Sequence, residues 1–100
     1  MKIILGSRSS GKTKRLLELS AMNRVPILCE TQARVERLLT KAKGYGYQIP
    51  LPVSLDQLDP KIKEVYVDEI DLVFEHLTKL KLGALTLNKD DKNEIEDLDK

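Results

Sequence analysis

The sequence predicts an α/β domain: a mostly parallel sheet of four to five strands, held as the middle layer of a three-layer sandwich by helices. Three observations carry that expectation. Short, continuously apolar runs such as Lys2-Ile3-Ile4-Leu5 and Pro26-Ile27-Leu28-Cys29 read as strands buried on both faces. Stretches with apolar residues at helical spacing separate these runs. The first strand-to-helix junction is a glycine-rich octapeptide, Gly6-Ser7-Arg8-Ser9-Ser10-Gly11-Lys12-Thr13.

Each element has its own justification. Residues 13–19 are good helix formers without Gly or Pro, so a helix is expected from Gly11 to about Met22, closed by Asn23-Arg24. Pro26 opens the second strand, a position where its missing N–H is tolerated. Thr31 reads as an N-cap. Val35, Leu38, Leu39 and Ala42 then fall at i, i+3, i+4 and i+7, and Gly44 is the expected stop. Ile49-Pro50-Leu51-Pro52-Val53 is limited by its prolines to a short edge strand or extended segment. Ser54-Leu55-Asp56-Gln57 matches a capping box and predicts a short helix ended by Asp59-Pro60. Lys63-Glu64-Val65-Tyr66-Val67 leads as a strand into Asp68-Glu69. Ile70, Val73, Phe74, Leu77 and Leu80 then stripe a helix that Gly83 ends. Ala84-Leu85-Thr86-Leu87 reads as the last strand, so residues 1–88 form the expected domain.

Residues 89–100 carry six acids (Asp90, Asp91, Glu94, Glu96, Asp97 and Asp99) against three lysines, a net −3. They are expected to be a flexible acidic tail, with one helical turn around Ile95 and Leu98 at most. Since the whole chain is +1, residues 1–88 are +4, mildly basic and compatible with nucleic acid contact. The tail is read as solvated, or as covering a basic surface in competition with phosphate.

The octapeptide fits G-x-x-x-x-G-K-[ST], a phosphate-binding pattern. Gly6 and Gly11 allow a tight turn that brings backbone N–H groups of Ser7, Ser9, Ser10, Gly11 and Lys12 near an anion, and the helix N-terminus adds its positive end. Lys12 would carry charge to the outer phosphates, and the Thr13 hydroxyl would ligate Mg²⁺. Asp68, at the tip of its strand, suits the other side of the metal, and Glu69 suits a base that orients water. The competing reading of that pair is two helix N-terminal acids that favour the helix dipole. With right-handed crossovers, strand C-terminal ends share one edge, where Gly6, Asp68 and Asn88 would converge.

Composition sets the bounds. One hundred residues, 41% hydrophobic and 33% charged, describe a single globular domain. No run is long or apolar enough to span a membrane, and Met1-Lys2 leads straight into a strand with no signal peptide expected. One cysteine, Cys29, excludes an internal disulfide and suits a reducing cytoplasm. His76 has no Cys or His partner with which to bind a metal.

Gly6–Thr13 together with Val65-Tyr66-Val67-Asp68-Glu69 resembles P-loop NTPases of the additional-strand, catalytic-glutamate division. The closest look is to the first ATPase core of helicases and of phage DNA-packaging motors, and to small P-loop proteins of tailed phages. Arg8 is similar to the arginine that packaging terminases carry in this loop. Thr31-Gln32-Ala33 and Ser54-Leu55-Asp56-Gln57-Leu58 resemble the motifs that follow the corresponding strands. Thr86 and Asn88 take the place of the polar sensor, on a strand between the loop strand and the acid strand. Nothing after residue 88 resembles a fifth core strand, a lid or an arginine finger. Thymidine kinases share the Asp-Glu strand end but carry a cysteine-rich zinc module that one cysteine cannot build.

The resemblance implies a minimal P-loop NTPase that binds Mg²⁺ and ATP and hydrolyses ATP slowly, in DNA metabolism or packaging in the cytoplasm of a phage-infected host. Its partners would be nucleotide, DNA or a DNA-processing protein, and further copies of itself. Lys12, Glu69 and Arg8 would be catalytic, Thr13 and Asp68 would place the metal, and Thr86 or Asn88 would sense the γ-phosphate. The alternative is a nucleotide-gated module that docks on a larger motor or replication protein without useful hydrolysis; a small-molecule kinase is the third reading. Arg34 and Arg37 read as a solvated helix face, or as acting on a neighbour's nucleotide. Tyr45 and Tyr47 read as packing back on their helix, or as stacking with a single strand.

Overall fold

The computed structural model describes residues 1–90 and 92–100, so Asp91 of the acidic tail lies outside the described residues. The elements run β1 (Lys2–Leu5), α1 (Lys12–Asn23), β2 (Ile27–Cys29), α2 (Gln32–Tyr45), β3 (Val53–Ser54), a 3₁₀ turn (Leu55–Gln57), β4 (Tyr66–Val67), α3 (Ile70–Thr78) and β5 (Glu94–Asp97). The chain is α/β and every strand pairing is parallel.

Among the described residues, five strands fall into two ladders, β1-β5 and β3-β2-β4, where one continuous sheet was expected. In the first, Lys2 to Leu5 lie opposite Glu94 to Asp97. In the second, Leu28 lies between Val53 and Val67. β3 and β4 are only two residues long. Such short strands support few ladder hydrogen bonds, which limits how far one sheet can extend.

α1 and α2 pack on each other, and α2 also packs on β2 and β3. Their contact encloses the core of Leu17, Ile27, Cys29, Val35, Leu38 and Ala42, with Leu16, Leu39, Tyr47, Ile49 and Tyr66 against it. Each buried Leu, Ile or Val side chain of this core stabilises by about 1.5–3 kcal/mol. This is the stripe read from the spacing of Val35, Leu38 and Ala42, and Thr31 caps it by accepting from the Arg34 N–H at 3.2 Å. The helix runs past Gly44 and stops at Gly46 instead, whose φ of 78° lies in the left-handed region. There the Tyr47 N–H reaches back to the Ala42 carbonyl at 2.9 Å, which turns the Tyr47 ring onto the core. The Tyr47 hydroxyl donates to Glu18 at 3.4 Å. Tyr45 stays exposed, with the Lys14 ammonium 5.2 Å from its ring centroid.

Three other expectations change. The capping box at Ser54 yields one 3₁₀ turn without a side-chain cap, because Ser54 is a buried β3 residue opposite Cys29. α3 stops at Thr78 with Lys79 as its C-cap, short of the expected end at Gly83, so Leu80 lies beyond it; the stripe is mostly uncovered, with Val73 buried and Ile70 and Leu77 exposed. Ala84–Leu87 is irregular, exposed chain, and the strand forms ten residues later in the acidic tail.

Charge pairing accounts for that last difference. Arg15 of α1 grips Glu96 with two bonds, Nε to Oε2 at 2.7 Å and Nη2 to Oε1 at 3.0 Å. Lys2 lies 3.5 Å from Glu94 and 3.7 Å from Glu96. The tail acids therefore meet cations from β1 and α1, and the β1 edge supplies their ladder. No helix among the described residues is long and apolar enough to cross a membrane.

Candidate functional site

The octapeptide joins β1 to α1 as a compact turn. The Ser10 N–H bonds the Ser7 carbonyl at 3.1 Å, and Lys12 Nζ donates to the same oxygen at 2.8 Å. Gly11 is the N-cap of α1, at φ 92° and ψ 21°, a conformation that glycine adopts without strain. Having no side chain, it leaves the first turn of α1 without a side-chain cap. The unpaired N–H groups and positive pole of that turn are available to an external anion. Gly6 faces a different constraint: a Cβ there would stand 2.2 Å from Ser10 Oγ, so the Ser10 side chain would have to shift.

Thr13, in the first turn of α1, points to the end of β4. Its hydroxyl donates to Asp68 Oδ2 at 3.0 Å, across 55 residues of sequence. This bond brings the loop and the acid pair together, although β1 and β4 belong to different ladders. Asp68 is 8% exposed. Glu69 is the N-cap of α3 with left-handed φ 54°, ψ 69°, and its side chain is partly open to solvent. For a non-glycine residue that backbone costs about 1–3 kcal/mol, a strain the Leu72 N–H bond to the Glu69 carbonyl at 3.0 Å helps to hold.

Two participants were not legible as such. Arg34, in the first turn of α2, extends Nη2 to Asp68 Oδ2 at 3.3 Å and lies 3.9 Å from Glu69 Oε2. Its side chain is 19% exposed, so it belongs to this chain's own acid pair and not to a solvated helix face. Its position on α2 alone does not reveal this; only the crossover that brings α2 to the tip of β4 does. The second is Asp99. It accepts from the Ser7 N–H at 2.7 Å and from the Ser7 hydroxyl at 3.0 Å. The β1-β5 ladder continues through the Leu98 N–H bond to the Leu5 carbonyl at 2.8 Å, which brings residue 99 beside the loop.

The remaining predicted residues stay apart or unengaged. Ser9 is exposed with φ 66°, and Arg8 and Arg37 are exposed. Thr86 and Asn88 lie on exposed irregular chain, without the strand expected to carry them to the loop. The Asn88 carbonyl accepts from the Asn93 side chain instead. The strand beside β1 is β5, so the polar group at its tip is Asp99.

Cys29 is buried in β2 beneath this edge. Burial, with the nearby negative charges of Glu30 and Asp68, pushes its thiol up to about 11. Buried and with a raised pKa, it packs as a small hydrophobe.

The donor set fits a hard divalent cation in part. A threonine hydroxyl and a carboxylate are the oxygen ligands Mg²⁺ takes from protein, with phosphate and water completing the octahedron. While the Thr13 hydrogen is donated to Asp68, the lone pairs of Oγ1 are free to face an ion. Among the described residues, no group of three or more His, Cys, Asp and Glu side chains gathers into a cage. The protein side of such a site is the Thr13 hydroxyl and the Asp68 carboxylate, so most of an ion's coordination would come from water or a bound ligand. No family model, no curated protein and no solved structure matches this chain.

Proposed function

We propose that the protein binds Mg²⁺–ATP at the loop between β1 and α1 and hydrolyses it slowly. The observation that carries this reading is the Thr13 hydroxyl bonded to Asp68, which joins a phosphate-loop sequence to a strand-end carboxylate in one site. The uncapped, glycine-led start of α1 supports it, because it offers N–H donors and a positive pole to a polyanion.

In this reading the first-turn amides of α1 and the Lys12 ammonium bind the phosphates. To do so Lys12 exchanges the Ser7 carbonyl for phosphate oxygen. Thr13 and Asp68 would hold the metal, which supplies charge neutralisation between the outer phosphates. Glu69 orients a water in line with the γ-phosphate and accepts its proton. In a preorganised site, stabilisation of developing charge is the largest catalytic contribution. The setting in DNA metabolism or packaging rests on the resemblance of the loop and acid strand to helicase and terminase cores.

The test is phosphate release by the wild type, Lys12→Ala and Glu69→Gln, with and without single- and double-stranded DNA. Release that drops at least tenfold in both variants supports hydrolysis. Equal, background release by the wild type and Glu69→Gln, with nucleotide still bound, assigns a nucleotide-gated binding module. No binding of nucleotide by the wild type overturns both readings.

A further inference from the structure

We propose that Arg34 is the resident counter-ion of the metal seat: its guanidinium and a divalent cation contest the same Asp68 oxygen, and arriving metal–nucleotide moves Arg34 onto the phosphates. This rests on the nucleotide reading above and adds a positioning residue to it. Asp68 Oδ2 receives both the Thr13 hydroxyl at 3.0 Å and Arg34 Nη2 at 3.3 Å. Oxygen and nitrogen thus sit around one atom, and Arg34 is no farther from the Thr13 hydroxyl than those two bonds span. An ion ligated by Thr13 Oγ1 therefore lies within reach of the guanidinium.

Charge decides the consequence. Asp68 is almost fully buried, and Arg34 is its cation, shared with Glu69 at 3.9 Å. A bare divalent ion entering beside Thr13 adds positive charge next to a guanidinium already paired with the same carboxylate. Arg34 therefore opposes metal alone. A metal ion carrying a triphosphate brings the compensating negative charge, and a planar guanidinium matches phosphate oxygens in two-point geometry. The same side chain then favours metal and nucleotide together. Arg34 has opposite effects on the two ligands, so the site discriminates between free ion and ion–nucleotide.

The experiment uses the full chain and two probes, Mn²⁺ alone followed by electron paramagnetic resonance, and a fluorescent non-hydrolysable ATP analogue with Mg²⁺. Removing the charge in Arg34→Gln is expected to tighten Mn²⁺ binding and to weaken the nucleotide, each by about fivefold or more. Arg34→Lys, which keeps the charge, is expected to hold Mn²⁺ as the wild type does. A purely structural role for Arg34 would weaken both ligands. In the wild type, with no variant needed, the Arg34 Nε–H resonance is expected to shift when Mg²⁺ and ATP are added together. Unchanged or weaker Mn²⁺ binding by Arg34→Gln, with nucleotide binding by the wild type intact, overturns this inference alone. An Arg34 resonance unmoved at nucleotide saturation does the same. A wild type that binds no nucleotide overturns it together with the function it rests on.

Discussion

Replacing Gly6 by alanine probes the packing of the loop between β1 and α1 directly. A Cβ at this position would lie 2.2 Å from Ser10 Oγ, 3.0 Å from Ser10 Cβ and 3.2 Å from Lys12 Cγ. Gly6 is not among the residues at positive φ, so the expected penalty comes from contact and not from backbone strain. Overpacking of this kind costs about 1–3 kcal/mol. Ser10 Oγ is buried and makes no hydrogen bond, so Ser10→Ala alone should be neutral or slightly stabilising. The double variant Gly6→Ala/Ser10→Ala removes the closest contact and leaves the 3.0 Å and 3.2 Å ones. It should recover most of the loss, giving a coupling energy of about 1 kcal/mol or more. Urea denaturation of all four proteins measures this cycle. Gly6→Ala within about 0.5 kcal/mol of the wild type, or a strictly additive cycle, would refute the packing argument.

Three further outcomes follow from the geometry. Asp99→Asn should weaken two charge-assisted bonds to Ser7 by about 1–2 kcal/mol, seen as roughly tenfold faster amide hydrogen exchange at Ser7; unchanged exchange would detach the tail from the loop. The Arg15 guanidinium, through its hydrogen bonds and charge, holds the Glu96 carboxyl below its ordinary value of 4.5. Folding therefore favours ionised Glu96, and its stabilising effect is present above pH 4.5 and lost as pH falls toward the lowered value. Glu96→Gln should flatten that acid-side slope in pH-dependent melting; an unchanged slope would remove the pairing from the account. Cys29, protonated in the fold up to about pH 11, should react with iodoacetamide at pH 8.5 only as fast as the protein opens, and urea should accelerate it; fast labelling of the folded protein would contradict its burial.

The parts of this site that were legible in the sequence are those whose chemistry is local. Gly6, Gly11, Lys12 and Thr13 announce a tight turn from a strand into a helix, because all the residues that make it lie within eight positions. Thr31 and the stripe Val35, Leu38 and Ala42 were likewise readable, since capping and burial on one helix follow its own periodicity. β5 was not readable. Glu94-Ile95-Glu96-Asp97 has poor strand propensity, and its acids pair with Lys2 and Arg15, which are distant in sequence. Ala84–Leu87 has the better strand composition but gains no partner. Arg34 and Asp99 escaped for the same reason: each earns its role from a neighbour supplied by topology.

In the proposed function, the loop and Asp68 surround one metal-bound triphosphate. A crystal structure with Mg²⁺ and a non-hydrolysable ATP analogue tests it most directly. The phosphates are expected on the first-turn amides of α1, with one Mg²⁺ between Thr13 Oγ1 and Asp68. A nucleotide seated elsewhere, or an ion that leaves the Thr13–Asp68 hydrogen bond and its surroundings untouched, would contradict it.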